Sequence, residues 1–357
     1  MTPLPHGATI GILGGGQLGR MLAMAAARLG YRTHVFAQAP APAADVATRW
    51  TQAPYSDAVA LDAFARDCDV VTSEFENVPL GAIAAVSKVV PVFPDKRAMS
   101  IAQDRLREKD FLTGIGLRCA RYRDVPSERA LHAILADLGP PAILKTRSMG
   151  YDGKGQVTIR SMDEAAEAYA GMKGAPAILE ERIAFEREIS VVVARGQDGQ
   201  KAIYPPSDNV HRNGILREST VPSTLPSARL ARAMAMARTV AKELDYVGVL
   251  AVEMFVSDDG IRVNEIAPRV HNSGHWTQAG CATDQFEQHI RAICGLPLGD
   301  ERAHLMVRMQ NLIGDDIDQL PEILKQPDAQ VHLYGKDEAR PGRKMGHVNW
   351  LSYPTIT

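Results

Sequence analysis

"VGVLAVEMFVSDDGIRVNEIAPR", residues 247–269, is the stretch that decides the fold. Two apolar runs flank the letters DDG. This combination predicts a β-hairpin with a three-residue loop, because such loops commonly place a glycine in the left-handed conformation. In this register Ser257 faces Ile261, and counting back from that pair places Glu253 directly opposite Glu265. Both carboxylates are therefore predicted to lie on one face of the hairpin.

Two carboxylates that face each other across a β-ladder repel, and burial makes the repulsion worse. A divalent cation between Glu253 and Glu265 would remove this penalty. A few carboxylates completed by phosphate oxygens are the ligands that Mg²⁺ takes at a nucleotide. The alternative is that one glutamate faces solvent in a different register. We predict a magnesium site with Glu253 and Glu265 as its metal ligands.

A second informative stretch is "ATIGILGGGQLGRMLAMAAARLG", residues 8–30. An apolar run precedes glycines in G-x-G-x-x-G spacing and a helical pattern, which is how a Rossmann-like dinucleotide-binding unit begins. Such a unit places an acidic residue about 20 positions further on for the ribose hydroxyls. Here the next predicted strand runs into Gln38, Ala39 and Pro40 without one. We therefore favour another anionic ligand, or tight packing, over a nicotinamide cofactor.

The composition is that of an ordinary globular chain with room for two or three domains. Its 357 residues are 45% hydrophobic and 23% charged, with a net charge of −2. No overall basic field therefore draws the chain to nucleic acid or to an anionic membrane. No apolar run approaches the ~20 residues of a membrane span. The lack of a secretory signal and the four scattered cysteines predict reduced thiols and a cytoplasmic location.

Another glycine-rich segment, "SMGYDGKGQ" at residues 148–156, lies between two predicted strands. It does not match the P-loop spacing G-x-x-x-x-G-K-[ST]. A flexible loop that carries Lys154 can fold its amides over a polyphosphate, as the glycine loop of kinases does. Lys145, at the end of the preceding strand, adds a fixed charge nearby. Taken alone, this segment could be a surface turn. The predicted pair of facing glutamates favours the phosphate-binding interpretation.

The segment "NEIAPRVHNSGHWT", residues 264–277, is rich in hydrogen-bond donors. Such a turn suits a small oxyanion held beside a metal-bound phosphate. Each histidine taken singly could be structural, an interpretation that we favour for His275, whereas we favour a functional role for Arg269. The segment "GKDEARPGRKMGH", residues 335–347, is basic. It is either a solvated face or a cradle for a substrate phosphate.

These segments together resemble one enzyme family. The chain contains, in unbroken order from Gly11 to about Asn349, "GGGQLGRM", "SEFENVP", "QDRLREK", "KTRSMGYDGKGQ", "ILEERIAFEREISV", "YPPSDNVH", "NEIAPRVHNSGHWT" and "RPGRKMGH". They are similar to the N5-carboxyaminoimidazole ribonucleotide synthases, ATP-grasp enzymes of purine biosynthesis that carboxylate 5-aminoimidazole ribonucleotide.

The resemblance implies a fold of mixed class, α/β and α+β. It is an ATP-grasp fold with an N-terminal Rossmann-like (pre-ATP-grasp) domain and a small C-terminal domain. The implied boundaries are 1–103 for the Rossmann-like domain that binds the ribonucleotide and 104–185 for a small ATP-grasp lid. Residues 186–357 would form the C-terminal ATP-grasp domain with the metal site and the basic loop.

The resemblance also implies roles for individual residues. The residues implied for ATP binding are Arg105, Lys145, Gly150, Tyr151, Asp152, Gly153, Lys154, Gly155, Gln156, Glu180, Glu181, Arg182, Ile183, Glu188, His211, Asn264 and Glu265. Those implied for catalysis are Asp152, Arg269, His271, Asn272 and Ser273. Those implied for the ribonucleotide substrate are Gly16, Gln17, Leu18, Glu74, Tyr151, Asp152, Lys336, Arg343 and Lys344. For Mg²⁺ the resemblance agrees with the hairpin on Glu253 and Glu265.

The implied reaction transfers the γ-phosphoryl group of ATP to bicarbonate and so forms carboxyphosphate. The carboxyl group then passes to the amine of the ribonucleotide, directly or as CO₂. The implied cofactors are ATP and Mg²⁺, and the family suggests a homodimer that binds neither nucleic acid nor a membrane. Three alternatives stay open: an ATP-grasp ligase that uses formate or glycine, an NAD(P)-dependent oxidoreductase, and a non-catalytic nucleotide sensor.

Overall fold

The computed structural model describes residues 2–150 and 153–352. Tyr151 and Asp152, both predicted to contact ligands, lie outside these described residues. The described strands form three separate sheets of four, four and nine strands. Each sheet is built from one continuous part of the chain.

The N-terminal part is a parallel sheet with helical crossovers, as predicted. Its elements are β1 (Thr9–Leu13), α1 (Gln17–Arg28), β2 (Arg32–Ala37), β3 (Arg49–Gln52), α2 (Ala58–Arg66), β4 (Val70–Ser73), α3 (Leu80–Val86) and α4 (Lys96–Ala102). The strand order is β3-β2-β1-β4, and every pair is parallel. Strands β2 and β4 lie on opposite sides of β1. The carboxyl ends of β1 and β4 therefore form a topological switch point, where open α/β sheets bind ligands.

The middle part is a small antiparallel sheet. Its elements are α5 (Arg105–Gly114), β5 (Tyr122–Val125), α6 (Glu128–Leu138), β6 (Ala142–Thr146), β7 (Gln156–Ile159), α7 (Ala165–Gly171) and β8 (Ala177–Glu181). The strand order is β5-β8-β6-β7. Leu131 and Leu135 of α6 pack with Leu144 and Leu179 of the strands in one hydrophobic core. The second glycine-rich segment joins β6 to β7, so the predicted strand–loop–strand is confirmed.

The third part is a nine-stranded antiparallel sheet. Its strands are β9 (Arg187–Arg195), β10 (Lys201–Ile203), β11 (Ser207–Arg212), β12 (Ile215–Val221), β13 (Gly248–Ser257), β14 (Gly260–Ala267), β15 (Met306–Ile313), β16 (Ala329–Leu333) and β17 (Lys344–Ser352). Its helices are α8 (Ser227–Glu243), α9 (Thr277–Gly280), α10 (Gln285–Ile293) and α11 (Leu320–Ile323). The order is β14-β13-β9-β11-β12-β15-β17-β16, and β10 pairs with β9. The last three strands therefore extend the sheet that contains the hairpin.

The turn of the hairpin differs from the prediction. Ser257 pairs with Gly260 and not with Ile261, so the loop has two residues and not three. The side chain of Asp259 accepts hydrogen bonds from Ser257 Oγ at 2.8 Å and from Arg262 Nη1 at 2.7 Å. These two bonds close the loop one residue earlier than the glycine position indicated.

A β-bulge further along the hairpin restores the predicted register. Met254 pairs with Val263, but the next residue towards the start of the strand, Glu253, pairs with Glu265. Asn264 is therefore the extra residue of a bulge, which shifts the pairing by one position. The two glutamates face each other as predicted, although the predicted loop length was wrong.

The parallel sheet is fixed to the nine-stranded sheet by helix packing. Helix α1 contacts helix α10, and the buried residues Leu22 and Ile290 belong to one hydrophobic core. A buried hydrogen bond of 2.8 Å between Thr72 and His289 crosses the same interface. Among the described residues, no helix is both long enough and apolar enough to traverse a lipid bilayer.

Candidate active site

A cavity of about 810 Å³ lies where the three sheets meet. The ends of β1 and β4, the β6–β7 loop, the β13–β14 hairpin and the segment after the hairpin all contribute to its walls. Glu253 and Glu265 both line it. The packing of the parallel sheet on the nine-stranded sheet therefore brings the switch point and the paired glutamates to one space.

Most of the predicted site residues line this cavity. They are Gly16, Gln17, Leu18, Glu74, Arg105, Lys145, Gly150, Gly153, Gln156, Glu188, His211, Glu253, Asn264, Glu265, Arg269, His271, Asn272 and Lys344. Other predicted residues are not among those that line it, namely Lys154, Gly155, Glu180, Glu181, Arg182, Ile183, Ser273, Lys336 and Arg343.

The paired glutamates each contact a nitrogen from another part of the chain. Arg105 Nη1 donates to Glu265 Oε2 at 2.8 Å, and His271 Nε2 lies 3.0 Å from Glu253 Oε1. Burial alone would raise the pKa of Glu253, but chiefly the hydrogen bond from His271 lowers it below its usual range. The carboxylate is thus ionised and able to bind a positive ion. No cluster of three or more acidic, histidine or cysteine side chains suited to a metal occurs in the described part of the chain.

The glycine turn after β1 holds a carboxylate of the protein itself. The backbone amides of Gly16 and Gly19 donate to the two oxygens of Glu74 at 2.5 and 2.8 Å. Burial raises the pKa of Glu74, because the loss of solvation outweighs these two bonds and the charge of Arg269. The amides that would hold a pyrophosphate in a dinucleotide site are therefore already bonded.

Two lysines and one glutamate form a buried charged cluster below the cavity. Lys145 Nζ lies 3.0 Å and Lys109 Nζ 3.4 Å from Glu180 Oε2, and all three side chains are buried. Burial would raise the pKa of Glu180, but the two ammonium groups lower it to about 2. Burial lowers the pKa of Lys145, and the charge of Glu180 opposes that shift. Glu180 thus holds Lys145 in place at the cavity wall and favours its charged form.

Several charged residues of this region were not predicted from the sequence, among them Lys109, Glu108 and Glu76. Lys109 donates to the carbonyl of Asn264 at 2.5 Å, and Glu108 accepts from the Ile266 amide at 2.6 Å. Burial, followed by the charge of Glu265, raises the pKa of Glu108 to about 8. Both residues therefore fix the backbone on either side of Glu265.

The third unpredicted residue, Glu76, accepts a hydrogen bond from Arg269 Nε. Burial would raise the pKa of Glu76, but the charge and hydrogen bond of Arg269 lower it to about 2. One signal in the sequence could have found Glu76. It lies just past the carboxyl end of β4, at the switch point where Glu74 was predicted.

The basic tail reaches the cavity at one residue. Lys344 lines the cavity, and Lys336 Nζ donates to the carbonyl of Lys344 at 2.7 Å. Burial lowers the pKa of Lys336 to about 8, and the neighbouring Arg343 and Lys344 contribute to the shift. Arg343 donates to the carbonyl of Glu338 at 2.9 Å. The three basic side chains are thus neighbours at one edge of the site.

The segment after the hairpin presents an amide group that the protein does not satisfy. Both polar atoms of the Asn272 side chain are buried and, among the described residues, have no hydrogen-bond partner. Buried polar groups are nearly always paired, so a solvent molecule or ligand should meet this amide. The buried side chain of His275, in contrast, has partners within the protein. Its Nδ1 lies 2.9 Å from Gln285 Nε2 and its ring stacks on His347, in keeping with the structural interpretation.

Known families match almost the whole chain. A model described as the ribonucleotide synthetase preATP-grasp domain matches residues 7–103. The ATP-grasp domain matches 110–286, and the phosphoribosylaminoimidazole carboxylase C-terminal domain matches 308–353. The N5-carboxyaminoimidazole ribonucleotide synthase of Brucella melitensis is 52% identical over 99% of each chain. The chain belongs to the N5-carboxyaminoimidazole ribonucleotide synthase family.

Solved structures of this family agree. An ADP complex of an N5-carboxyaminoimidazole ribonucleotide synthetase superposes with a TM-score of 0.95 at 44% identity, over 99% of this chain and 94% of the other. An Aspergillus clavatus enzyme in complex with ADP and 5-aminoimidazole ribonucleotide gives 0.92 at 32% identity, over 97% and 94%.

Family membership confirms several predictions at once. The ATP-grasp fold with an N-terminal pre-ATP-grasp domain and a C-terminal domain is confirmed. So is the enzyme class, an ATP-dependent carbon–nitrogen ligase of purine biosynthesis. Membership sets aside the formate- or glycine-using ligase, the NAD(P)-dependent oxidoreductase and the nucleotide sensor.

In this synthase family member, Glu188 and His211 form a further pair on the cavity wall, with His211 Nδ1 in contact with Glu188 Oε2. Burial would lower the pKa of His211, but Glu188 and the nearby Glu253 raise it. The two residues were predicted to lie near the nucleotide, and the structure brings them to one wall with Glu253.

Proposed function

We propose that the protein carboxylates 5-aminoimidazole ribonucleotide with bicarbonate and ATP, giving N5-carboxyaminoimidazole ribonucleotide, ADP and phosphate. The observation that carries this proposal is one cavity that contains both the facing pair Glu253–Glu265 and the unsatisfied amide of Asn272. The first feature suits a metal-bound nucleotide, and the second suits a small oxyanion beside it.

ATP would lie between the middle part and the nine-stranded sheet. Lys145, fixed by Glu180, and Arg105 would contact its phosphates, and residues 150–156 would cover them. The segment Glu180–Ile183 would border the adenine, and Glu188 would hold the ribose. The support for this placement is that Lys145, Arg105 and Glu188 line the same cavity.

Mg²⁺ fits Glu253 and Glu265, because the two carboxyl groups face each other at the cavity and oxygen is the donor that this ion prefers. When bound, the ion would offset negative charge on the nucleotide phosphates. Asn264, the bulge residue between Glu265 and Val263, would support the phosphates.

The acceptor of the phosphoryl group would be bicarbonate, held by Arg269, His271 and Asn272. A bicarbonate oxygen attacks the γ-phosphorus and ADP leaves, which yields carboxyphosphate. The exocyclic amine of the ribonucleotide then attacks the carboxyl carbon, phosphate leaves, and the amine loses a proton. Asp152, the predicted proton acceptor, lies outside the described residues, so its role stays a prediction. Ser273 contacts His271 and would act through it.

The ribonucleotide would lie at the switch point of the parallel sheet. Gly16, Gln17, Leu18 and Glu74 line that end of the cavity, and Lys344 lies on its rim with Lys336 and Arg343 beside it. Arginine and lysine together suit a phosphate, so we place the 5′-phosphate at this basic edge. Tyr151, also predicted to contact the substrate, lies outside the described residues.

We also propose three domains at 1–103, 104–185 and 186–357, because each of these ranges contains the strands of one sheet. The four cysteines form no disulfides. This agrees with a reducing compartment, and we propose the cytoplasm. A homodimer is proposed from the family alone.

Carboxylation with labelled bicarbonate tests the function. The purified protein would receive ATP, Mg²⁺, the ribonucleotide and ¹³C-bicarbonate, and ¹³C NMR would follow the product. We expect phosphate release and a labelled carbamate that both require the ribonucleotide. Formate and glycine serve as matched acids, and equal phosphate release with either of them would contradict the proposal.

A further inference from the structure

A stripe of small polar side chains crosses the nine-stranded sheet behind the candidate active site. Ser190 lies on β9, Ser207 and Asn209 on the neighbouring β11, and Ser219 on β12. All four are buried, with 8% exposure at most. Apolar side chains of similar size could fill this layer without needing partners, whereas buried polar groups must all be satisfied. The stripe therefore calls for an explanation other than packing.

The hydrogen bonds of this stripe run in one direction, towards Ser273. Asn209 Oδ1 accepts from Ser219 Oγ at 2.8 Å and from Ser207 Oγ at 3.2 Å, and Asn209 Nδ2 donates to Ser190 Oγ at 2.8 Å. Ser190 Oγ in turn donates to Ser273 Oγ at 2.6 Å. The hydroxyl hydrogen of Ser273 is then directed at its remaining neighbour.

That neighbour is Nδ1 of His271, which lies 2.8 Å from Ser273 Oγ. The backbone amide of Ser273 also donates to Nδ1, at 3.3 Å. A backbone N–H group can only donate, so Nδ1 is an acceptor and the ring proton is on Nε2. Nε2 lies 3.0 Å from Glu253 Oε1, so the N–H group points to the carboxylate side of the cavity.

We propose that Asn209, Ser190 and Ser273 form a positioning chain that fixes His271 as its Nε2–H tautomer. Nε2 of His271 is then a hydrogen-bond donor, to Glu253 in this structure and to an oxyanion where one is bound, and not a general base. Asn209 and Ser190 are positioning residues, because they act through His271 and do not line the cavity. The role assigned to the donor rests on the proposed function, whereas the tautomer itself does not.

The opposite tautomer, with its proton on Nδ1, would bring two hydrogens together on one side of the ring and two electron-rich atoms together on the other. A proton on Nδ1 would face the amide hydrogen of Ser273. The lone pair of Nε2 would face the carboxylate of Glu253 and any oxyanion beside it. Each contact that now attracts would then repel, so the chain of donors selects one tautomer by electrostatics.

The tautomer can be measured directly by ¹⁵N NMR of the full-length protein labelled at histidine, without nucleotide or metal and in alkaline buffer. The His271 signals are assigned by their loss in His271→Asn. We expect Nδ1 to show the shift of a bare ring nitrogen and Nε2 that of a protonated one. Ser273→Ala and Ser190→Ala should give mixtures of both tautomers, and Ser190→Thr should restore the single form.

Ser223→Ala is the matched control. Ser223 is a buried serine whose hydroxyl donates to Asp208 at 2.7 Å, outside the chain to His271. It should leave the His271 signals unchanged. A wild-type protein with its proton on Nδ1 would overturn the proposal, even if every variant failed to fold. So would an unchanged tautomer in folded Ser273→Ala and Ser190→Ala.

Steady-state kinetics distinguishes a residue that orients His271 from one that only stabilises the fold. We expect kcat with saturating bicarbonate to fall about tenfold in Ser190→Ala while KM for ATP stays within about twofold, as for other residues that orient an active-site group. Ser190→Thr should recover most of the loss. An equal fall in Ser223→Ala, or no fall in Ser190→Ala, would count against the proposal. An inactive wild-type protein would refute the proposed function and leave the NMR test of the tautomer intact.

Discussion

The turn after β1 and the β6–β7 loop both line the cavity, through Gly16 in the first and through Gly150 and Gly153 in the second. In the first turn, however, the amides of Gly16 and Gly19 donate to Glu74 of the protein itself. A Cβ on Gly16 would stand 2.8 Å from Glu74 Oε1, so this glycine permits close packing. Gly153 has a φ of 76°, so this glycine permits a left-handed backbone. The comparison teaches that similar glycine patterns can serve an internal contact in one region and an open site in another.

The largest loss of activity should come from a change in the carboxylates of the hairpin, which we assign to the metal at the ATP phosphates. Glu265→Gln removes one of the two facing charges that we assign to the metal. We expect bicarbonate-dependent ATP turnover to fall by roughly three orders of magnitude, because metal stabilisation of phosphoryl transfer contributes several kcal/mol. Steady-state phosphate release measures it, and circular dichroism confirms that the variant is folded.

The control for this change is Glu322→Gln, which alters a glutamate whose side chain is 73% exposed. It should leave turnover unchanged. Near-normal turnover in folded Glu265→Gln would remove the main support for the metal assignment. It would also mean that no metal ion at the hairpin faces the phosphates that the β6–β7 loop is proposed to cover.

The next effect should be a loss of stability at the turn after β1. Gly16→Ala places a methyl group against Glu74, and we expect a loss of about 2 kcal/mol in the free energy of unfolding, because overpacking forces neighbours to shift. Urea unfolding measures it. Gly81→Ala in helix α3, where nothing lies within 4 Å of the added Cβ, should be neutral or slightly stabilising. Equal stability of Gly16→Ala and wild type would show that the turn is not tightly packed.

The matching change in the β6–β7 loop should affect ATP binding in addition to stability. Gly153→Ala forces a side chain into a left-handed backbone, which costs about 1–2 kcal/mol. We expect KM for ATP to rise about tenfold, because the loop borders the cavity, and the free energy of unfolding to fall by no more than this strain. Gly174→Ala is the control, since Gly174 has a φ of 78° in an exposed turn with nothing near its Cβ. An unchanged KM for ATP would contradict the role of the loop.

The smallest effect concerns pH. Glu74 and Glu76 both come just after strand β4. Burial raises the pKa of Glu74, whereas Arg269 lowers the pKa of Glu76 from 4.5 to about 2. A lowered pKa in the folded state adds stability above pH 4.5, and this stability is lost as the pH falls towards 2. The stability difference between wild type and Glu76→Gln should be on the order of 1–2 kcal/mol near neutrality.

Chemical unfolding at several pH values checks this prediction. The difference between wild type and Glu76→Gln should shrink steadily between pH 4.5 and 2. A difference that does not change with pH would mean that the ion pair with Arg269 adds nothing to folding. Glu322→Gln again serves as the control for a change of charge at the surface.

The facing glutamates were predicted from the sequence because side chains alternate along a strand and two strands must pair. The details were not predictable in the same way. The loop proved one residue shorter than expected, and the bulge at Asn264 compensated for it. Loop closure by Asp259 and the bulge are both made by side-chain and backbone contacts that hydrophobic periodicity does not encode.

The buried charges were missed for a related reason. Glu108 and Lys109 lie on helix α5, in the string "QDRLREK", where charged residues usually indicate a solvated face. They are buried because the nine-stranded sheet covers that helix and offers each side chain a hydrogen-bond partner. Likewise, single serines within apolar strands give no local signal. Ser190 and Ser207 become a network only when β9 and β11 pair.

Anomalous diffraction from crystals grown with ADP and Mn²⁺ tests the central claim most directly, because Mn²⁺ takes the same oxygen ligands as Mg²⁺ and can be located unambiguously. We predict an anomalous peak that contacts a carboxylate oxygen of Glu253, a carboxylate oxygen of Glu265 and a phosphate oxygen of ADP. A peak bound elsewhere, or bound to ADP without either glutamate, would contradict the account.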